Sequence, residues 1–418
     1  MAAVAFGFAS CEDYPDAFEL ADGVPTVHYV RYADRDVLIE QAYMGEVVCF
    51  VGENLRSVRE LYFNDRPALL NTSYMTDNTL IAAVPGELAK EKTDMAYLIT
   101  KNQDTLKIDF KVLLPNPVLK AMSCEYQKPG TEVTLIGNYF AEPMSVVFED
   151  GLGVEVTSFK SVSMTEVTFD IPADAKPGRI KVNTESGVAR SSFVYLDDRG
   201  LITDFDGGTD VVPQGWNFAG VYKTEDGIDG QYVELGPSEL TDAGAWNEAL
   251  KLPFWCGSWT GDPMSITSGA GVPICNIIDF TDFANMGIKF ELCIPSSNPW
   301  SSGAMQIVFT SADKCANDSW QNNTYIHTSA TDGGLDLCRG FYRPWAETGS
   351  FDTGGKWITV TVPFSEFTYN ADGTPGKVPL SKPEDFASLI IWPWSGGLNG
   401  VACTPVFRID NIRAVPVK

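Results

Sequence analysis

The chain of 418 residues carries 55 acidic against 30 basic side chains, a formal net charge of −25, which excludes basic-patch binding to nucleic acid or anionic lipid. A hydrophobic content of 44% excludes general disorder, and only two histidines, His28 and His327, leave little scope for histidine-rich metal sites or histidine catalysis. Frequent Gly (37) and Pro (25), with 12% aromatics, favour short strands and turns over long helices.

Residues 1–10, MAAVAFGFAS, are almost all small or apolar and precede Cys11 and an acidic stretch. The segment Phe8-Ala9-Ser10-Cys11 resembles a bacterial lipobox, although Leu is usual where Phe8 stands and no basic residue precedes the apolar run. The resemblance implies lipidation of Cys11, with residues 1–23 as signal remnant and flexible acidic base. The alternative is a buried N-terminal strand with a structural cysteine. No stretch reaches the roughly 20 apolar residues of a membrane-spanning helix, so membrane attachment is expected through lipid alone. The remaining cysteines are scattered with no Cys-x-x-Cys pair, which argues against zinc and thioredoxin-like chemistry.

Two segments then repeat at a spacing of 85 residues: Gly45-Glu-Val-Val-Cys-Phe-Val-Gly52-Glu-Asn-Leu55 and Gly130-Thr-Glu-Val-Thr-Leu-Ile-Gly137-Asn-Tyr-Phe140. Phe63 and Asp65 match Phe148 and Asp150 at the same spacing, and Val84-Pro85 matches Ile171-Pro172 two residues later. Alternating apolar residues predict strands through Val47–Val51, Glu60–Phe63, Thr79–Val84, Ala96–Thr100 and Lys107–Leu113. The second copy adds Val133–Ile136, Ser145–Phe148, Glu166–Ile171, Arg179–Asn183 and Ser191–Tyr195. A period near 85 with such strands predicts two small β-sandwiches, over 24–114 and 115–197, joined through Leu114-Pro-Asn-Pro117. The pattern Gly-x-x-Val, Gly-x-x-[Leu/Phe], Val-x-Phe and [Val/Ile]-Pro resembles the IPT/TIG family of Ig-like domains, which implies a fold and spacer role but no chemistry. No catalytic constellation falls in this half; His28 reads as an exposed strand residue.

All ten tryptophans lie between Trp216 and Trp394, so residues 198–418 form a different kind of domain. Strand-like runs at Gln231–Leu235, Ile288–Ile294, Met305–Thr310, Trp357–Val362 and Leu389–Trp392, with long polar loops, predict a larger jelly-roll β-sandwich. The fold class is therefore all-β, with two tandem Ig-like sandwiches followed by the jelly roll. The opening Phe205-Asp206 and closing Ile409-Asp410-Asn411-Ile412 resemble jelly-roll carbohydrate-binding modules, in which the first and last strands lie together. The whole arrangement resembles the surface glycan-binding proteins of Bacteroidota polysaccharide-utilisation loci. That resemblance implies an outer-membrane, cell-surface lipoprotein that binds a polysaccharide and works with an outer-membrane glycan importer.

Sugar binding also has a physical basis in the residues. The C–H face of a pyranose packs on a flat indole or phenol ring, while amides, carboxylates and guanidinium groups bond to hydroxyls. The candidate platforms lie in polar loops: Trp255, Trp259, Trp300, Trp320, Tyr342 with Arg343, Trp345 and Trp394. Trp216, Trp246, Trp357 and Trp392 read as structural. Asp204, Asp206 and Asp410 are weak calcium candidates without EF-hand spacing, and no cofactor is otherwise expected. Gly349–Lys356 lacks P-loop spacing, and there is neither a Gly-x-Ser-x-Gly elbow nor a glucanase Glu-x-Asp-x-x-Glu. The expected function is non-catalytic capture of an extended β-glucan, such as mixed-linkage glucan, xyloglucan or laminarin. A glycoside hydrolase with Ig-like accessory domains and a non-glycan adhesin remain the alternatives.

Overall fold

Why both repeats keep glycine at the same places is visible in the backbone. Gly45 and Gly130 turn with φ of 83° and 81°, and their N–H groups donate to Val84 and Ile171 C=O at 2.9 and 2.7 Å. Gly52 and Gly137 lie under the preceding strand, where a Cβ would fall 1.8 Å from Thr26 O and 2.0 Å from Val118 O. Any side chain there would force the paired strands apart. In this computed structural model, residues 21–149, 153–213, 218–254, 256, 271–311 and 337–417 are described. They form two compact units, residues 1–116 and 117–418.

The first unit packs a sheet of Thr26–Tyr32, Val47–Glu53 and Thr79–Ala83 against one of Arg66–Ala68, Val58–Phe63, Met95–Thr100 and Thr105–Asp109. Phe50, Phe63 and Phe110 meet at its centre. The single strand expected over Lys107–Leu113 is two. Thr105–Asp109 pairs with Met95–Thr100, then Phe110 turns into the core and Lys111–Leu113 pairs in parallel with Gln41–Tyr43.

The second unit begins with another Ig-like sandwich. Val118–Met122, Glu132–Asn138, Glu166–Asp170 and Ser161–Val162 form one sheet. Val154–Val156, Met144–Glu149, Gly178–Thr184 and Gly187–Tyr195 form the other. The larger sandwich follows. Its six-stranded sheet orders Val221–Lys223, Tyr232–Leu235, Phe407–Pro416, Met286–Cys293 and Ile358–Pro363, and the opening strand Leu201–Thr203 pairs with Phe407–Pro416. Its four-stranded sheet orders Leu252–Phe254, Ser388–Trp394, Ala304–Thr310 and Gly340–Tyr342.

Between these two sheets lies one core. Ile288, Phe290, Leu292, Phe407 and Ile409 come from the larger sheet, and Met305, Ile307, Phe309, Leu389 and Ile391 from the smaller. Ile409 and Ile412 both face this core although they are three positions apart. Asn411, at φ 48°, sits where the register with Met286–Cys293 shifts, and the resulting bulge flips the alternation.

The outer face of the six-stranded sheet is covered by the second Ig-like sandwich. Lys289 and Arg413 bring cations there, and each ion-pairs with Glu125 of the Ig-like sandwich, at 2.5 and 2.8 Å. Arg413 also holds Glu291 at 2.7 Å, and its guanidinium lies 4.7 Å from the Tyr126 ring centroid. Two cations thus meet two carboxylates in a buried, neutral cluster. Trp357 closes the seam: its Nε1 donates to Asp226 O at 2.9 Å, and its ring lies edge-on to Tyr232. The short polar segment Leu196–Gly200 between the two sandwiches is part of this interface rather than a free linker, because Asp197 is buried and its C=O accepts from Tyr126 Oη at 2.6 Å.

Candidate functional site

On the other side of the large sandwich, the outer face of the four-stranded sheet gathers aromatic side chains. Along Ser388–Trp394 the side chains alternate. Leu389 and Ile391 enter the main core, whereas Ile390, Trp392 and Trp394 join Val308 and Trp246 on the opposite face. Trp392 and Trp394 are near-parallel, with ring centroids 5.9 Å apart and planes 20° from parallel. Trp246 meets both edge-on, at 5.5 and 5.6 Å. Trp392 is buried beneath, while Trp246 and Trp394 are half-buried. Such a cluster offers rigid apolar area at small entropic cost, the property a sugar face requires.

Polar groups beneath the rings fix them. Gln306 stands opposite Trp392 in the register. Its amide donates to Trp394 O at 2.6 Å and Ala371 O at 2.8 Å, and accepts from Arg339 Nη1 at 2.8 Å. The buried Arg339 guanidinium lies 5.8 Å from both the Trp392 and Trp394 ring centroids, within the range of cation–π attraction. Lys251 lies 5.9 Å from the Trp246 ring, whose Nε1 donates to Glu248 at 2.7 Å. Positive groups therefore border this aromatic cluster although the chain is strongly acidic.

The expected platform residues scatter relative to this face. Trp394 lies on it, opposite Ala304 in the register, and Arg343 follows the strand Gly340–Tyr342 at the same end of the sheet. Arg343 is half-buried, and its guanidinium donates to Gly396 C=O. Trp300 is a correction: fully buried, it stands edge-on to Phe407 in the core and donates Nε1 to Ser302 O at 2.5 Å. Trp345 is a second: it opens the short helix Trp345–Thr348, lies buried in the same core and donates Nε1 to Gly303 O at 2.8 Å. Tyr342 is a third, on the inner face opposite Met305; burial pushes its phenol up to about 12. In all three cases polar neighbours turn the backbone while the ring tucks inward. Trp255, Trp259 and Trp320 lie outside the described residues, as do Trp216 and Cys11. The strands that precede them, Leu252–Phe254 and Ala304–Thr310, both belong to the four-stranded sheet.

The calcium candidates Asp204 and Asp206 accept backbone hydrogen bonds. Asp206 accepts from Gln231 N–H at 2.7 Å, and Asp204 from Asp206 N–H at 3.1 Å. Among the described residues no group of three or more His, Cys, Asp or Glu side chains is disposed to hold a metal. The buried Asp410 instead faces Asp229. Its burial and the Asp229 charge raise its carboxyl to about 10, so that it is protonated at neutral pH. Among the described residues, Cys49, Cys124, Cys275, Cys293 and Cys403 carry free thiols.

The sequence does not single out Trp246, Gln306 and Arg339 as members of this cluster. The period-two pattern Ile390-Trp392-Trp394 was the available signal, since it sets both rings on the face opposite Leu389 and Ile391.

Compared with known proteins, residues 195–416 match the surface glycan-binding protein B xyloglucan binding domain. The crystal structure of surface glycan-binding protein PbSGBP-B from Prevotella bryantii is 34% identical, covering 96% of this chain and 100% of that one, with a TM-score of 0.74. An IPT/TIG domain-containing protein from Bacteroides ovatus is 23% identical over 369 residues, covering 78% of this chain and 74% of the relative.

Proposed function

The chain belongs to the surface glycan-binding protein B family, a non-catalytic, glycan-binding protein of the cell surface, and from that premise we propose that its Trp246–Trp392–Trp394 face captures an extended β-linked glucan. Xyloglucan is the first candidate, because the matched domain is described as binding it; mixed-linkage glucan and laminarin offer the same stacking chemistry. The observation that carries the reading is the aromatic cluster on the outer face of the four-stranded sheet, where half-buried Trp246 and Trp394 lie over the hydrogen-bonded Gln306–Arg339 pair. A neutral glucan is also compatible with a net charge of −25.

Lipidation at Cys11 would hold the protein on the outer membrane, where bound glycan passes to a glycan importer. Affinity at one face need only be modest, since many anchored copies engage one polymer.

Titration calorimetry over a panel of xyloglucan, mixed-linkage glucan, laminarin, mannan and starch tests this, with reducing-sugar release measured in parallel. Binding to the β-glucans without release is expected. Binding confined to mannan or starch, or sugar release abolished by a single carboxylate substitution, would refute it. For the anchor, Cys11→Ser is expected to move the protein from the membrane to the soluble fraction of a native host. Unchanged membrane retention would refute lipidation.

A further inference from the structure

The four-stranded sheet carries a second aromatic group, at its other edge. Trp392, Gln306 and Phe341 stand opposite one another on three neighbouring strands, so their side chains leave the same face. Tyr369 is bridged to Arg339, two residues before Phe341. Its ring lies on Phe341 with centroids 4.8 Å apart and planes only 13° from parallel. The Arg343 guanidinium lies 6.0 Å from the Phe341 ring and is tied to the Gly396 carbonyl. Neither Phe341 nor Tyr369 enters the hydrophobic core, and Tyr369 remains 41% exposed. A stacked, partly exposed pair outside the core leaves a flat ring face accessible at the edge of the sheet.

We propose that the Phe341–Tyr369 stack, with Arg343 beside it, is a second pyranose-stacking subsite for the same glycan chain, which runs across the strands from Trp394 toward Tyr369. This rests on the reading of the face as a glucan site. Two strand spacings separate the Trp392 and Phe341 rows by about 9.5 Å, close to the length of a disaccharide. In a β-1,4-linked chain alternate rings present the same face to one side, so the two platforms meet equivalent faces of alternate sugars. Arg343 supplies hydroxyl-directed donors between them.

Calorimetry of the full chain with cello-oligosaccharides from trisaccharide to hexasaccharide tests the subsite. Tyr369→Ala is expected to leave trisaccharide affinity unchanged and to lower hexasaccharide affinity about tenfold. Tyr369→Phe, which keeps the ring, is expected to bind both as the parent does. Trp394→Ala is expected to weaken both ligands. Parent-like hexasaccharide binding by Tyr369→Ala, or equal loss for both lengths, would overturn the subsite while leaving the tryptophan face intact. A parent chain that binds no cello-oligosaccharide and no xyloglucan would overturn the glucan reading, and the subsite with it.

Discussion

Trp394 and Trp300 are both ringed by Ser, Gly and Pro in sequence, yet their surroundings differ completely. Trp300 fills the core with its indole N–H satisfied, whereas Trp394 stands on an outer face beside Trp246. Truncating each should therefore separate stability from binding. Trp300→Ala is expected to cost about 3–5 kcal/mol of folding stability, seen as a large drop in the urea midpoint. Trp394→Ala is expected to cost about 2 kcal/mol of glycan affinity with little change in that midpoint, and the reverse pattern would contradict the assignment. Arg339 acts through the rings above it. Arg339→Lys loses the planar fork that holds Gln306 and faces both indoles. It is expected to alter the near-ultraviolet circular dichroism of the tryptophans together with affinity, whereas an unchanged spectrum would leave Arg339 no positioning role.

At the scale of elements, the closing strand Phe407–Pro416 joins two tasks. Its bulge at Asn411 keeps Ile409 and Ile412 in the core and turns Asp410 toward Asp229. Because burial and Asp229 hold the folded carboxyl near 10, against about 4 in the unfolded chain, folding takes up a proton between those values. That contribution is fully present below about pH 4 and is lost as pH rises toward 10. Asp410→Asn, which cannot ionise, is expected to flatten the melting temperature against pH between about 5 and 9. Curves that stay parallel to the parent's would contradict a protonated Asp410. Much at this scale was legible. The 85-residue repeat, its turn glycines and most strand positions follow from period-two patterning, and the opening and closing strands do pair. The candidate face was less so. Local polarity does not report which side of a strand a ring leaves by, and the partners of Trp394 come from segments up to about 150 residues away in sequence, such as Trp246.

At the scale of the whole molecule, the second unit docks one outer face of its large sandwich on the Ig-like sandwich, and the other outer face is the one proposed to bind glycan. Lys289 and Glu291 look misplaced on a strand buried on both sides, until Glu125 of the Ig-like sandwich completes their cluster. Nothing local in the sequence announces that pairing, because Glu125 and Arg413 are 288 residues apart. Glu125→Ala leaves two buried cations against one carboxylate and is expected to cost about 3–5 kcal/mol, measured as a lower melting temperature of the full chain. An unchanged melting temperature would deny the cluster its role in the interface. A crystal structure of the full chain with a β-glucan heptasaccharide decides whether the Trp246–Trp394 face of the four-stranded sheet receives the glycan. Sugar rings stacked on Trp394 and Trp246 and running toward Tyr369 are expected; sugar seated elsewhere, with this face bare, would refute the assignment.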